Sequence, residues 1–488
     1  MKFLGLRLCD HDSNITYTDG TTVRYIKSER LKQIKHHGYN NFSAWIADIQ
    51  HWNIDYSTLD GCAICVDQNN VNFKIDDTVV FQKVDPFIPN ISCPTYIVDH
   101  HFAHALSCWP IVDTEQVTTD FVFDGFGDFD RSHSIFKGSQ LVSTSTKPSV
   151  GALLTKWGEA IGVEGHPLDI SGKVMAMKSF GAINYQFLND VNHCSINEAN
   201  TVFDILKWLP YKTDNNKDWL ASLHKFIEDK FVEQFLKYAY SEETITFSGG
   251  VAQNICVNAQ LKKYFKNLYI PPHNPDDGLS LGCVELLRQL NAQPKFDNLG
   301  FPFWQDEEVP EIPTDETIDK VAQLLADGKI VGWFQGKGEI GPRALGNRSI
   351  LMRPDIKDGK DIINNKVKHR ENYRPFGCSV LEEYSKDYFD CDYASPFMLY
   401  SVPVKNPELL SAITHIDGTS RIQTVNSDHK IFQSLLEKFH NKTGLPILLN
   451  TSLNINKKPI ASTKEHAMGV FETTGLDVLC VGNTIYIK

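Results

Sequence analysis

The sequence predicts an α/β protein in which a duplicated pair of lobes is followed by a second α/β domain. Three observations carry this expectation. Residues 3–30 run as a strand (FLGLRL), a polar loop (CDHDSN) and a hairpin turning at Asp19-Gly20. Residues 121–144 repeat that order with FVF, the loop DGFGDFDRSH, SIF, a turn at Lys137-Gly138 and QLVST. Such Gly turns supply the positive φ that a tight hairpin needs. From residue 315 an amphipathic helix with Ile318, Val321, Leu324 and Leu325 on one stripe leads into the apolar strand 330–334, and strand and helix signals then alternate to the end of the chain. Finally, 488 residues with 42% apolar content suffice for two or three cores and argue against disorder.

Two strand–loop–hairpin units in one chain are the pattern of duplicated lobes facing each other across a nucleotide cleft, as in actin-like ATPases, unless Gly hairpins recur by chance. The net charge of −12 opposes a general affinity for nucleic acid or anionic membranes, while leaving room for a local basic channel. No apolar run approaches the ~18 residues of a membrane span, and MKFLGLRLCDHD turns polar and acidic too early for a signal peptide. A cytoplasmic protein with no membrane partner is expected. Eleven thinly spread cysteines suit reduced thiols, and the lone C-x-x-C of Cys62 and Cys65 reads as core packing.

In TYIVDHHFAHALSCW the strand ends at Val98, Asp99 can cap a helix, and His100 and His104 fall four apart on one face. Two imidazoles so spaced suit a divalent transition metal, with Asp124 or Asp128 of the DGFGD loop completing the shell; the alternative is a pair of solvated histidines. His11 in the first polar loop titrates near working pH and suits a base beside an acceptor hydroxyl, or else a turn satisfied by its own side chains. SGGVAQNICVN places Gly249 and Gly250 at a strand-to-helix junction, whose backbone donors favour a nucleotide's oxygens. The stretch 290–312, rich in proline and acids, reads as the link between domains.

The densest chemistry lies in QGKGEIGPRALGNRSILMRP, residues 335–354, with four glycines and three arginines behind the strand 330–334. Glycines let backbone N–H groups approach a ligand, and Arg343 and Arg348 can meet phosphate or carboxylate oxygens in forked pairs. It is no Walker A loop, because Lys337 follows the first of these glycines. Alternatively the glycines form a tight turn and the arginines pair with surface carboxylates. Lys366, Lys368, Arg370, Arg374, Arg421 and the turn Asn450-Thr451-Ser452-Leu453-Asn454 add cations and small polar donors, which an acidic protein gathers where something strongly anionic binds.

GPRALGNRSIL, NNKVKHRENYRPF, DGTSRIQTV and NTSLN, together with HDS at residues 11–13 and HHFAHA followed by DGFGD, resemble the NodU/CmcH-type O-carbamoyltransferases, relatives of the tobramycin carbamoyltransferase. The resemblance implies an actin-like (TsaD-like) carbamoyl-transfer domain over residues 1–302 and a YrdC-like α/β domain over 303–488. It further implies that carbamoyl phosphate and ATP, with Mg2+, are converted to carbamoyl-AMP, and that the carbamoyl group passes to an acceptor hydroxyl of a sugar, nucleoside or other small metabolite. The alternatives are a hydroxymethylated pyrimidine in DNA as acceptor, or an actin-like nucleotide-binding regulator with a structural metal. Carried onto this chain, the metal is held by His100, His104, Asp124 and Asp276, with Asp277 the neighbour to consider. Iron is favoured, with zinc or manganese as alternatives. His11, Arg343, Lys368 and Arg370 are the expected catalytic set. Gly249, Gly250, Asn254, Lys173, Arg348, Arg374, Arg421, Asn450 and Ser452 are expected at the substrate and nucleotide. The family's G-K-x-M-G-L-A stretch is matched at Gly172 and Lys173 but departs at Ala176-Met177-Lys178.

Overall fold

The fold is known from a computed structural model that describes residues 1–39, 41, 43–66, 75–112, 117–147, 149–208, 216–295 and 300–488. It is a mixed α/β structure that packs as two units. The first holds residues 1–7 and 56–295, the second residues 8–55 and 296–488.

In the first unit, Gly61–Val66 pairs in parallel with Thr95–Val98, which pairs antiparallel with Phe81–Val84. A second, five-stranded sheet centres on Thr119–Phe123, flanked by the parallel Ile245–Ser248 and the antiparallel His133–Lys137, which continues into Gln140–Ser145. Every residue of Gly61–Val66, Thr119–Phe123 and Ile245–Ser248 is buried, as expected of strands covered on both faces. Helix His100–Cys108 follows Val98 at once, and helix Leu279–Leu290 lies against it. The two approach so closely that a Cβ on Gly282 would stand 2.0 Å from the carbonyl oxygen of Ala103. The cysteines are free, and Cys62 and Cys65 are buried core residues, as their apolar surroundings suggest.

The second unit is built on an eight-stranded sheet in the order Ser401–Pro403, Thr419–Val425, Gly377–Leu381, Ile447–Ser452, Arg348–Met352, Val331–Phe334, Val478–Val481, Thr484–Ile487. Helices Asp315–Ala326 and Lys430–Thr443 cover one face, bringing Ile318, Val321 and Leu325 against Phe432, Leu435, Leu436 and Phe439. The hairpin of Asn14–Thr18 and Val23–Lys27, with its turn at Asp19-Gly20, belongs to this unit by packing.

The expected division at 302/303 therefore differs from the packing division. The physical reason is charge: Arg24 pairs with Asp306 at 3.1 Å and the buried Arg30 with the buried Glu307 at 3.2 Å. The stretch expected to be a link shares in this. Residues 296–299 lie outside the described residues, but Trp304, Gln305 and the side chain of Glu307 are buried within the second unit, so 304–307 packs on that unit and is not a solvated connection. No helix among the described residues is long and apolar enough to cross a membrane.

Candidate active site

The first unit gathers His100, His104, Asp124 and Asp276. Asp99 caps the helix by accepting from the N–H of Phe102 at 2.9 Å, which sets the first turn on which His100 stands. Nε2 of both His100 and His104 lies 3.0 Å from Oδ2 of Asp124, and Oδ1 of Asp276 lies 3.6 Å from His100 Nε2 and 3.4 Å from His104 Nε2. Four N and O ligands ~2.1 Å from a tetrahedral zinc-sized ion stand about 3.4 Å from one another. The observed spacing and the N2O2 donor set therefore fit a divalent transition metal. Burial alone would lower the pKa of His104, but hydrogen bonds to Asp124 and Asp276 outweigh it and raise His104 to about 9. Burial would likewise raise Asp124, yet its bonds to His100 and His104 hold it well below the usual carboxylate range.

Neighbouring groups fix these ligands. Gly125 and Gly250 donate backbone N–H to Oδ1 of Asp124, at 2.7 and 3.0 Å, leaving Oδ2 for the histidines. Asp128, considered as a ligand on sequence grounds, instead accepts the backbone N–H of His100 at 2.9 Å. Asp276, and not Asp277, brings its oxygen to the cluster. Arg7, which sequence reasoning missed, donates to Oδ2 of Asp276 at 2.9 Å.

The expected nucleotide ligands of this unit divide. Gly250 sits against Asp124, with Gly249 beside it. Asn254, however, caps helix Ile255–Tyr264 through Oδ1 and faces His224 Nε2 with Nδ2 at 3.0 Å, so its side chain is engaged within the fold. Lys173 donates to the carbonyl of Glu164 at an exposed position. Lys178, the point of departure from the family stretch, pairs with the buried Glu228 at 3.1 Å, which also meets His224 at 2.8 Å.

In the second unit the basic residues converge. Lys368 ends a π-helical turn, Asn364–Lys368, and its ammonium donates to the carbonyls of Ser452 and Asn454 at 2.8 and 3.0 Å and to Asn454 Oδ1 at 2.6 Å. Ser452 and Lys368 are thus brought together. Arg370 lies over the Phe376 ring, 4.5 Å from its centroid, and Arg374 pairs loosely with Glu371 at 3.7 Å. Among the described residues, Nε of Arg343, Arg370 and Arg421 is buried without a hydrogen-bond acceptor. Burial and then Arg374 push Arg343 down to about 10 and Arg370 to about 9. Burial, followed by Arg343, Arg370 and Arg374, also lowers Arg421. Lys368 is lowered by burial, then by Arg370, Arg374 and Lys35, so residues 8–55 add a cation to the cluster. One buried ammonium and several half-buried guanidiniums that repel one another, three of them with Nε shut away from water, mark a place built for an anion.

Two expected anion contacts lie elsewhere. Arg348 is fully buried: its guanidinium donates to the carbonyls of Gln335, Gly336 and Glu308 and pairs with Glu307 at 3.3 Å, so it braces the loop. Asn450, also fully buried, donates to Ser379 Oγ at 2.9 Å within the sheet. The backbone donors expected to face a ligand are taken as well. Leu345, Asn347 and Arg348 give their N–H groups to one carboxylate oxygen of Glu339, at 2.7, 3.1 and 3.1 Å. His11 lies in the second unit, part exposed, with Nδ1 3.4 Å from Asp12, which also meets His36 at 2.9 Å and Lys27 at 2.9 Å. Lys27 supplies the positive charge among Asp12, Glu29 and His36 that a metal would otherwise bring.

The carbamoyltransferase N-terminus model matches residues 91–284 and the carbamoyltransferase C-terminus model residues 322–488. Nodulation protein NolNO of Sinorhizobium fredii is 30% identical over 98% of this chain and 79% of its own length. Nodulation protein NolO of Bradyrhizobium diazoefficiens is 32% identical over 79% of this chain and 78% of its own. Among solved structures, full-length HypF in the phosphate- and nucleotide-bound form matches at 12% identity and a TM-score of 0.37, over 60% of this chain and 47% of that one. The activator of the 2-hydroxyisocaproyl-CoA dehydratase from Clostridium difficile matches at 12% identity and 0.36, over 61% and 99%. With the two family models spanning the two candidate sites and a relative 30% identical over 98% of this chain and 79% of its own length, the chain belongs to the carbamoyltransferase family and is a carbamoyltransferase enzyme.

Proposed function

We propose that the enzyme uses ATP and carbamoyl phosphate to make carbamoyl-AMP and passes the carbamoyl group to an acceptor hydroxyl. The observation that carries this reading is the convergence of the half-buried Arg343, Arg370, Arg374 and Arg421 on the buried Lys368, with Nε of Arg343, Arg370 and Arg421 buried without an acceptor, which combines more positive charge than one small monoanion requires. In this scheme carbamoyl phosphate gives carbamate and phosphate with water, a carbamate oxygen attacks the α-phosphorus of ATP, and pyrophosphate leaves. The arginines neutralise converging anions, and Lys368, whose three N–H groups go to Ser452 and Asn454, adds its charge to the field at the site. The acceptor oxygen then attacks the carbamoyl carbon, AMP leaves, and the hydroxyl proton goes to a base, for which His11, held by Asp12, is the candidate.

His100, His104, Asp124 and Asp276 would hold a divalent metal, with iron favoured by the family resemblance. Bound there, it would supply Lewis acidity toward the carbamoyl carbonyl or the adenylate. The domain roles follow the resemblance: an actin-like transfer domain over 1–302 and a YrdC-like adenylate-forming domain over 303–488, the latter drawing on residues 8–55 for its packing. A small hydroxylated metabolite is the favoured acceptor, because a net charge of −12 slows approach to a polyanion such as DNA. The eleven free cysteines suit a reducing, cytoplasmic setting. Release of AMP from ATP on adding carbamoyl phosphate tests the reading; release of ADP and phosphate instead removes the adenylate step.

A further inference from the structure

We propose that Glu339 is a positioning residue for the arginine cluster: its carboxylate closes the loop 339–348 on itself and so fixes the place of Arg343. The inference rests on reading that cluster as an anion site. Glu339 is fully buried, and one of its oxygens accepts three backbone N–H groups, from Leu345, Asn347 and Arg348. Converging N–H groups of this kind form a nest that suits an anion, and here the anion is supplied from within the loop. Arg343 sits inside the ring so closed, between Glu339 and Leu345.

The ring is tied down on two sides. Arg30, brought from residues 8–55, donates through Nη2 to the carbonyls of Glu339 and Gly341, each at 3.2 Å. Gln423 donates to the carbonyl of Leu345 at 2.7 Å, and it stands two residues from Arg421 on Thr419–Val425, on the same face of that strand. Arg343 and Arg421 are therefore set relative to each other through Leu345 and Gln423. The loop has little room to close elsewhere: Gly346 has φ +111, and a Cβ there would stand 2.4 Å from Phe432. A guanidinium held by this frame needs no rearrangement to meet an anion, and that lowers the cost of binding.

The test is a double-mutant cycle on the full chain, with Glu339→Gln, Arg343→Ala and the double variant. Inorganic pyrophosphate is the calorimetric probe, and near-ultraviolet circular dichroism confirms the native fold. Glu339→Gln keeps the size and one acceptor but removes the charge, so pyrophosphate should bind roughly tenfold more weakly, the scale of one charge-assisted hydrogen bond. In the Arg343→Ala background the same change should cost less than about twofold, because Glu339 acts through Arg343. Full additivity, or unchanged affinity in a folded Glu339→Gln chain, overturns the proposal. So does failure of the unmodified chain to bind pyrophosphate. Should Glu339→Gln not fold, Gln423→Leu replaces it in the same cycle with the same outcomes. The probe involves no carbamoyl chemistry, so an enzyme that binds pyrophosphate with this coupling yet forms no AMP would sink the proposed function and leave this inference standing.

Discussion

Arg7 donates from Nη2 to Oδ2 of Asp276 over 2.9 Å, while Oδ1 of the same carboxylate faces His100 and His104; both Arg7 and Asp276 are buried. One arginine thus sets which oxygen of Asp276 is offered to a metal, and it balances one of two carboxylates that would otherwise repel each other. Without Arg7 the buried Asp276 keeps only its longer contacts to His100 and His104, so Arg7→Met should destabilise the metal-free chain by roughly 1–3 kcal/mol, the scale of a buried hydrogen bond to a charged group. Urea unfolding in the presence of a chelator measures this. A loss below about 1 kcal/mol, the usual size for an exposed pair, would show that the contact does not hold the site.

The metal centre should depend on the histidines and not on the C-x-x-C. His104→Ala removes one of four ligands and should lower the metal content of the purified chain severalfold, leaving carbamoyl-phosphate-dependent AMP formation in place. Cys62→Ser, in a buried strand, should leave metal content unchanged. Elemental analysis decides, and the reverse pattern would move the site to the cysteines.

Lys368 sets a pH dependence. Burial, then Arg370, Arg374 and Lys35, hold its ammonium well below the usual 10.5. Between that depressed value and 10.5 the unfolded chain binds more protons than the folded one, so the stability of the ligand-free chain should rise with pH through this window. A bound polyanion opposes the repulsion, so the gain in melting temperature on adding pyrophosphate should shrink as pH rises through the same window. A gain that stays constant from neutral to alkaline pH contradicts the assignment of Lys368 to the anion site.

Residues 8–55 should be indispensable to the second unit. On sequence grounds a fragment 303–488 keeps the whole basic cluster, but it lacks Arg30, which pairs with Glu307 and holds the carbonyls of Glu339 and Gly341. Without it the buried Glu307 carboxylate keeps Arg348 as its ion-pair partner among the described residues. Such a fragment should unfold at far lower urea than the full chain. A fragment with cooperative unfolding and undiminished pyrophosphate binding would refute the packing role of Arg30.

Much of the site was legible because its signals are local. Asp99, His100 and His104 occupy one helix start, and a spacing of four residues states their common face. The Gly-rich loop could be placed behind its strand for the same reason. Other features were not legible because they depend on partners far away in sequence. Arg348 was expected to meet a ligand, and only the structure shows Glu307 and the carbonyls of residues 308, 335 and 336 around it. The acid-rich stretch before residue 312 looked like a solvated connection because composition cannot reveal that Glu307 is buried between two arginines. Glu339 stood in plain view inside the motif, yet a carboxylate among arginines gives no sequence sign that it fills the backbone nest itself. Asn450 lies in strand Ile447–Ser452 and not in the turn its small polar neighbours suggest, and Asn254 caps a helix; each is taken up by neighbours that the fold alone supplies.

Adenylate formation at the arginine cluster is tested by following the nucleotide products from ATP, with and without carbamoyl phosphate, in the full chain and in Arg370→Ala. AMP and pyrophosphate should appear only when carbamoyl phosphate is present. Arg370→Ala should slow their formation by at least about a hundredfold, the scale of removing one group that stabilises developing charge. ADP as the product, AMP without carbamoyl phosphate, or an Arg370→Ala chain as active as its parent would contradict the account.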